Sequence, residues 1–132
     1  MSNVLFDPEG LVHRYFSGVD GQDLEKIFQT LADDCVFTVE THRVRLQGRD
    51  EIDGMFHRLW RNHKSVCHDR FKFVTDAGRN RVAVQFQVTN TRHDGSLVLK
   101  SNCNFFEIRH ALFSSVNVYM AGENTLNIPD SP

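Results

Sequence analysis

The sequence predicts an α+β domain: three helices in the first half, then a strongly curved, mostly antiparallel sheet in the second. Three observations carry this reading. Up to about residue 64 the apolar residues recur largely with a helical period. From residue 65 the period becomes two, through "SVCHDRFKFVT", "RVAVQFQVTNTR", "SLVLKSNCNFFEI" and "LFSSVNVYM". The links between these runs, "DAGRN", "HDG" and "RHA", are short enough for hairpins, which makes successive strands antiparallel neighbours.

The first helix opens at "FDPEG". Asp7 suits the N-cap, Pro8 the first helical position and Glu9 the positive end of the dipole. Leu11, Val12, Tyr15, Phe16 and Val19 form one apolar stripe, and Gly21 ends the helix. A second helix is expected from about Asp23 to Ala32, with Leu24, Ile27, Phe28 and Leu31 on one side. Two short strands follow, roughly over 35–41 and 43–47. The third helix starts after Gly48, with Asp50 and Glu51 in its first turn and Arg58, Arg61, His63 and Lys64 near its end, as the macrodipole prefers. Its apolar face is Ile52, Met55, Phe56, Leu59 and Trp60.

The chain has 132 residues, read as one domain over 1–132, with residues 123–132, ending in "NIPDSP", expected to fray. Apolar residues make up 40% and charged residues 24%, as in soluble globular proteins. Eleven phenylalanines against two tyrosines and one tryptophan point to a core or cavity lined with large apolar rings. A formal charge of −2, with no basic stripe, argues against a nucleic-acid partner. No apolar run reaches membrane-spanning length, so no membrane association is expected. Cys35, Cys67 and Cys103 are odd in number and irregular in spacing, which suggests reduced thiols and a cytoplasmic location. The histidines and cysteines show no zinc-type spacing, and no glycine-rich phosphate loop or nucleophile elbow occurs. Neither a metal nor a cofactor is expected.

The acid-rich stretch "ADDCVFTVETH" (32–42) is a natural place to look for a general base. Strand alternation sets Cys35, Phe37 and Val39 on the greasier, inward face and Val36, Thr38 and Glu40 on the other. Asp33 and Asp34 look like solvated turn residues. The acids are therefore read as structural.

The runs "VHRYFSGVDGQDLEKIFQTLADDCVF", "LQGRDEIDGMFHRLW" and "NCNFFEI", in this helix and strand order, resemble the nuclear transport factor 2-like superfamily, and within it the SnoaL-like and ketosteroid isomerase-like proteins. The resemblance covers about residues 9 to 121. It implies a cystatin-like cone whose sheet encloses a cavity. It also implies cofactor-free isomerisation, cyclisation or dehydration, by proton transfer beside a carbonyl. Ketosteroid isomerases use a first-helix tyrosine as oxyanion donor, which falls on Tyr15. A protonated aspartate serves as their second donor, a known case of a carboxyl kept neutral by its surroundings, and its place falls on Asn104. The family's catalytic aspartate falls on Val39, so that base is missing.

Other residues remain to supply the chemistry. Asp69 shares parity with Cys67, Phe71 and Phe73, and His68 lies on the opposite face of a regular strand; either is a candidate base, and without a bulge only one reaches the cavity. Asn102, Asn104, Phe106 and Ile108 share a parity, and buried amides demand hydrogen bonds. Asn117 and Tyr119 are taken as inward. Val39, Phe37, Met55, Phe56, Leu59, Trp60, Phe71, Asn102, Phe106, Asn117 and Tyr119 complete the expected lining for a small apolar molecule. The strand at 97–108 is apolar on both parities, so its outer side calls for cover, most simply a second copy of the chain. Two other functions remain open: a non-catalytic ligand-binding or assembly module, and a small subunit scaffolding a larger oxygenase.

Overall fold

The computed structural model describes residues 6–126. Helix α1 spans Pro8–Asp20 and α2 Leu24–Phe28; strand β1 is Leu31–Val39 and β2 Val44–Gln47; α3 is Arg49–Asn62. Four long strands follow: β3 Ser65–Asp76, β4 Arg81–Thr91, β5 Leu97–Arg109 and β6 Leu112–Tyr119. They form one curled, open six-stranded sheet in the order β2-β1-β6-β5-β4-β3. All neighbours are antiparallel except β1 and β6. Among the described residues, no helix is long and apolar enough to cross a membrane.

The stripe on α1 is buried as its spacing requires, with Leu11, Val12, Tyr15, Phe16 and Val19 all in the core. Gly18 lets α2 approach: a Cβ there would lie 2.8 Å from Ile27 Cγ1 and 3.0 Å from the Ile27 backbone nitrogen. Gly48, at φ +82°, caps α3 in a conformation that side-chain-bearing residues avoid.

The second helix is shorter than its periodicity suggests. The Asp23 carboxylate caps it by accepting from Lys26 N at 3.1 Å, but it stops at Phe28. Sheet pairing takes the next residues: Phe113 N donates to Thr30 O at 2.8 Å, and Leu31 pairs with Phe113. Apolar residues that extend the helical stripe therefore begin β1, and tertiary pairing overrides local preference. β1 starts four residues before the expected strand and ends at Val39. Glu40–His42 then make a 3-10 turn, closed by Arg43 at φ +56°. Of the expected loose tail, Glu123–Leu126 is packed, with Thr125 buried; residues 127–132 lie outside the described range.

Candidate functional site

The core packs rings between α1, α3 and the sheet. Phe106 lies 4.5 Å from Phe113 between centroids, and Tyr15 packs edge-on against Phe16, Phe56, Phe106 and Phe113. Beyond Tyr15 the packing leaves a cavity of about 30 Å³. Its wall combines Tyr15, Phe16 and Val19 of α1, Leu59 of α3, Val66 and His68 of β3, and Phe86, Val88 and Asn90 of β4. Asn102 and Asn104 of β5, Val118 of β6, Met120, Thr125 and Leu126 complete it.

His68 reaches the wall because of a bulge. The register of β3 against β4 shifts between Asp69 and Lys72, and Arg70 takes φ +56°. Two residues of β3 then oppose one of β4, which resets the alternation. His68, opposite inward Val88, and Phe73, opposite inward Val84, end up on the same side. Asp69 turns out to the solvent. Its expected place in the cavity is corrected by this irregularity, which alternation alone does not reveal.

The imidazole has one firm partner. Asp20 Oδ1 lies 2.5 Å from His68 Nδ1, while Asp20 Oδ2 accepts from the His68 backbone N–H at 2.8 Å. The carboxylate thus fixes both main chain and ring, leaving Nε2 as the nitrogen that Asp20 does not hold. The His68 ring also lies 4.6 Å from Phe16, which contacts Tyr15 at 4.9 Å. Asp20 is absent from the sequence-based candidates. The available signal was its position: an acid closing α1, where the helix dipole favours a cation and the last turn offers none.

The polar groups opposite are poorly satisfied. Asn104 and Asn90 are each 2% exposed, and the Oδ1 atoms of both are buried without a hydrogen-bond partner. Burial holds the Tyr15 phenol well above its ordinary pKa, with Cys35 and Asp20 adding to the effect. Tyr15 therefore stays neutral and acts as an O–H donor rather than as a base.

Of the other expected lining residues, Leu59 and Asn102 are in the wall. Phe37, Val39, Met55, Phe56 and Phe106 are fully buried in the packed core behind it. Trp60 donates from Nε1 to Val19 O at 3.0 Å and stacks on Phe56, and Phe71 packs against Phe16; both support the wall from outside. Asn117 and Tyr119 lie on the opposite face, correcting the inward assignment. In β6 it is Val116 and Val118 that point in, and Asn117 Nδ2 donates to Thr38 Oγ1 at 2.9 Å on the outer surface. Glu40 is exposed, and Asp34 pairs with Arg109 at 2.6 Å, which leaves the acids of 32–42 outside the cavity.

The segment Met120–Leu126 runs beside β5 and over the cavity as a strap. Ala121 N donates to Asn102 Oδ1 at 3.0 Å, the Lys100 ammonium donates to Glu123 O, and Arg92 pairs with Glu123 at 3.1 Å.

A family model for the SnoaL-like domain matches residues 12–116. The chain belongs to the SnoaL-like domain family. Its fold is shared with solved structures. It is similar to a candidate polyketide cyclase from Xanthomonas campestris pv. campestris, at 18% identity over 85% of this chain and 88% of that one, with a TM-score of 0.78. A Catenulispora acidiphila protein with a ketosteroid isomerase-like fold, solved with trimethylamine, is 14% identical over 83% of each chain, with a TM-score of 0.74. SalBIII, an epoxide hydrolase/cyclase-like enzyme of pyran ring formation in the polyether salinomycin, is 15% identical over 86% of this chain and 90% of its own, with a TM-score of 0.75. No curated protein matches the sequence significantly. For this SnoaL-like chain, the likenesses at such identities establish the fold, and the chemistry must be argued from the wall.

Proposed function

We propose that this SnoaL-like protein binds a small hydrophobic carbonyl compound in the cone and moves a proton at the adjacent carbon without a cofactor, as an isomerase, cyclase or dehydratase. One observation carries the reading: a cavity-wall histidine is held through Nδ1 by a carboxylate. His68 Nε2 takes the proton, and the C–H electron pair moves into the carbonyl to give an enolate. Asp20 stabilises the imidazolium, as in other carboxylate–histidine pairs. Tyr15 donates to the enolate oxygen, and the Asn104 amide, turned about its last torsion, supplies a second donor. The imidazolium then returns its proton to a second carbon or to a departing hydroxyl; in a cyclisation, the enolate carbon attacks a second carbonyl of the same molecule, whose oxygen takes the electron pair and then the imidazolium proton.

Free space of about 30 Å³ holds one water, whereas small-molecule pockets are roughly ten times larger. Binding therefore requires displacement of part of the wall, and the strap, which supplies Met120, Thr125 and Leu126 of that wall and lies outside the helices and strands, is the segment to move. A cavity this small also favours the rival reading, a module that binds or assembles but does not turn over. Exchange into deuterium oxide separates them. With a panel of hydrophobic ketones and aryl keto acids beginning with tetralone, the protein should accelerate α-proton exchange, and His68→Ala should lower the rate about a hundred-fold or more. If no member exchanges faster than with His68→Ala, proton-transfer chemistry is ruled out.

We also infer a homodimer through the outer face. Leu97, Leu99, Phe105 and Tyr119 are exposed there, with Phe105 and Tyr119 in edge contact. Large apolar side chains exposed together on one sheet face invite cover. Light scattering at micromolar concentration should give twice the chain mass, and Leu99→Arg should return it to the monomer value.

A further inference from the structure

Lys100 is the one lysine buried among the described residues, 8% exposed. It belongs to the inward row of β5, with Asn102 and Asn104 following at alternate positions and burial alternating with exposed Ser101 and Phe105. Its ammonium has two partners among the described residues: the backbone carbonyl of Glu123 in the strap, and Met120 Sδ at 3.9 Å. Neither is a carboxylate, because the Glu123 side chain goes to Arg92. Burying a charge with no carboxylate in direct contact is costly, and desolvation lowers the Lys100 pKa, opposed in part by the nearby Glu123 charge. Met120, Thr125 and Leu126, the strap residues beside it, are also cavity wall. A ligand that displaces the strap would therefore meet the ammonium stripped of its carbonyl partner, with Asn90, whose Oδ1 has no partner, diagonally across the β4–β5 ladder.

We propose that Lys100 is the docking point for a carboxylate on the ligand, so that the substrate class is a hydrophobic carbonyl acid rather than a neutral ketone. The Glu123 carbonyl holds the place of one carboxylate oxygen in the closed state. A single ammonium matches a monoanion; a phosphate would bring a second charge with no second buried cation to meet it. Along the strand, four residues separate Lys100 from Asn104, a Cα span of about 13 Å. The acid group and the reacting carbonyl thus belong at opposite ends of the molecule. This inference rests on the ligand-binding reading above and adds the charge that selects the ligand.

The test compares naphthylacetate with naphthylacetamide, which share shape and differ in charge, by calorimetric titration of the whole chain. The wild type should bind the acid about ten-fold or more tightly than the amide, as expected for a desolvated charge pair. Lys100→Met should abolish that preference while leaving amide binding within about two-fold, and Lys100→Arg should retain it. Lys72→Gln, at an exposed lysine of β3 away from the strap, guards against a surface cation site and should leave the preference intact. Equal affinities in the wild type, or a preference that survives Lys100→Met, overturn the assignment while leaving the pocket in place. Binding of neither probe overturns both this assignment and the ligand-binding reading. Melting curves for each variant establish that it is folded. Should Lys100→Met fail to fold, Lys100→Gln takes its place, with the same loss of preference expected and the same survival overturning the assignment.

Discussion

The inward row of β5 has two halves. Phe106 and Ile108 occupy one, buried against Tyr15 and Phe113; Asn104, Asn102 and Lys100 occupy the other. Both halves share one strand and one face, but β6 runs only beside Cys103–Arg109, and at Asn102 and Lys100 the strap takes its place. Asn102 and Lys100 serve backbone groups of the strap, Ala121 N and Glu123 O, but no backbone requirement explains Asn104, whose Oδ1 has no partner. The apolar half does what a core must: it removes rings from water. The polar half carries two amides and a cation into burial, where an unpaired polar group costs about 1–3 kcal/mol. Residues that oppose folding and yet converge on a cavity are where function is most economically sought.

Phe106→Ala tests the apolar half and should give the largest effect. The ring is fully buried, so the change should cost about 3–5 kcal/mol in urea unfolding. A loss below about 1 kcal/mol would mean that this half is no better packed than the other. The Asp20–His68 pair comes next. Asp20→Asn keeps the shape but loses the charge behind two hydrogen bonds, for a cost of about 2–3 kcal/mol. The His68 ring nitrogens, read by nitrogen NMR, should also lose the fixed tautomer. A cost near zero with unchanged imidazole signals would remove Asp20 from the site.

Much of this fold is legible in the sequence because it rests on periodicity. The stripe of α1 and the alternation of β4 and β5 are each dictated by which residues must leave water. The inward placement of Asn102 and Asn104 follows from parity alone. What parity does not reveal depends on events that break a period. The bulge at Arg70 exchanges His68 for Asp69, because a non-glycine residue with positive φ leaves no trace in a hydropathy pattern. The side of β6 that carries Asn117 is ambiguous because both of its faces mix polar and apolar residues. The strap escapes a sequence reading for a different reason: its contacts run through backbone groups, Glu123 O and Ala121 N, which no side-chain pattern records.

A pH scan sharpens the contrast from the apolar side. The Cys35 thiol is fully buried, and burial first, then the Asp34 charge, push its pKa from about 9 to about 12, against a lowering by Arg109. An acid whose folded pKa is raised supports the fold fully below its unfolded value, and that support disappears as pH climbs through the window. Between about pH 9 and 12 the unfolded chain releases this proton and the folded chain keeps it, so stability should fall by up to about 1.4 kcal/mol per pH unit. Thermal melts of Cys35→Ala should show a shallower alkaline slope than the wild type, whatever the offset between them. Parallel slopes would mean that water reaches the thiol.

The smallest expected effect is the most discriminating. Asn104→Leu replaces a buried amide, whose Oδ1 has no partner, with an apolar side chain of similar size. If the amide is kept for a ligand, its removal relieves a desolvation cost and should stabilise the protein by about 1 kcal/mol in urea unfolding. The same variant should slow the ketone exchange reaction, because one of the two donors facing the enolate is gone. A gain in stability together with a loss of turnover marks a group that the fold tolerates for its chemistry. Should Asn104→Leu instead destabilise the protein by an amount comparable to Phe106→Ala, the two halves of β5 would be equivalent, and the polar row would be a structural network rather than a site.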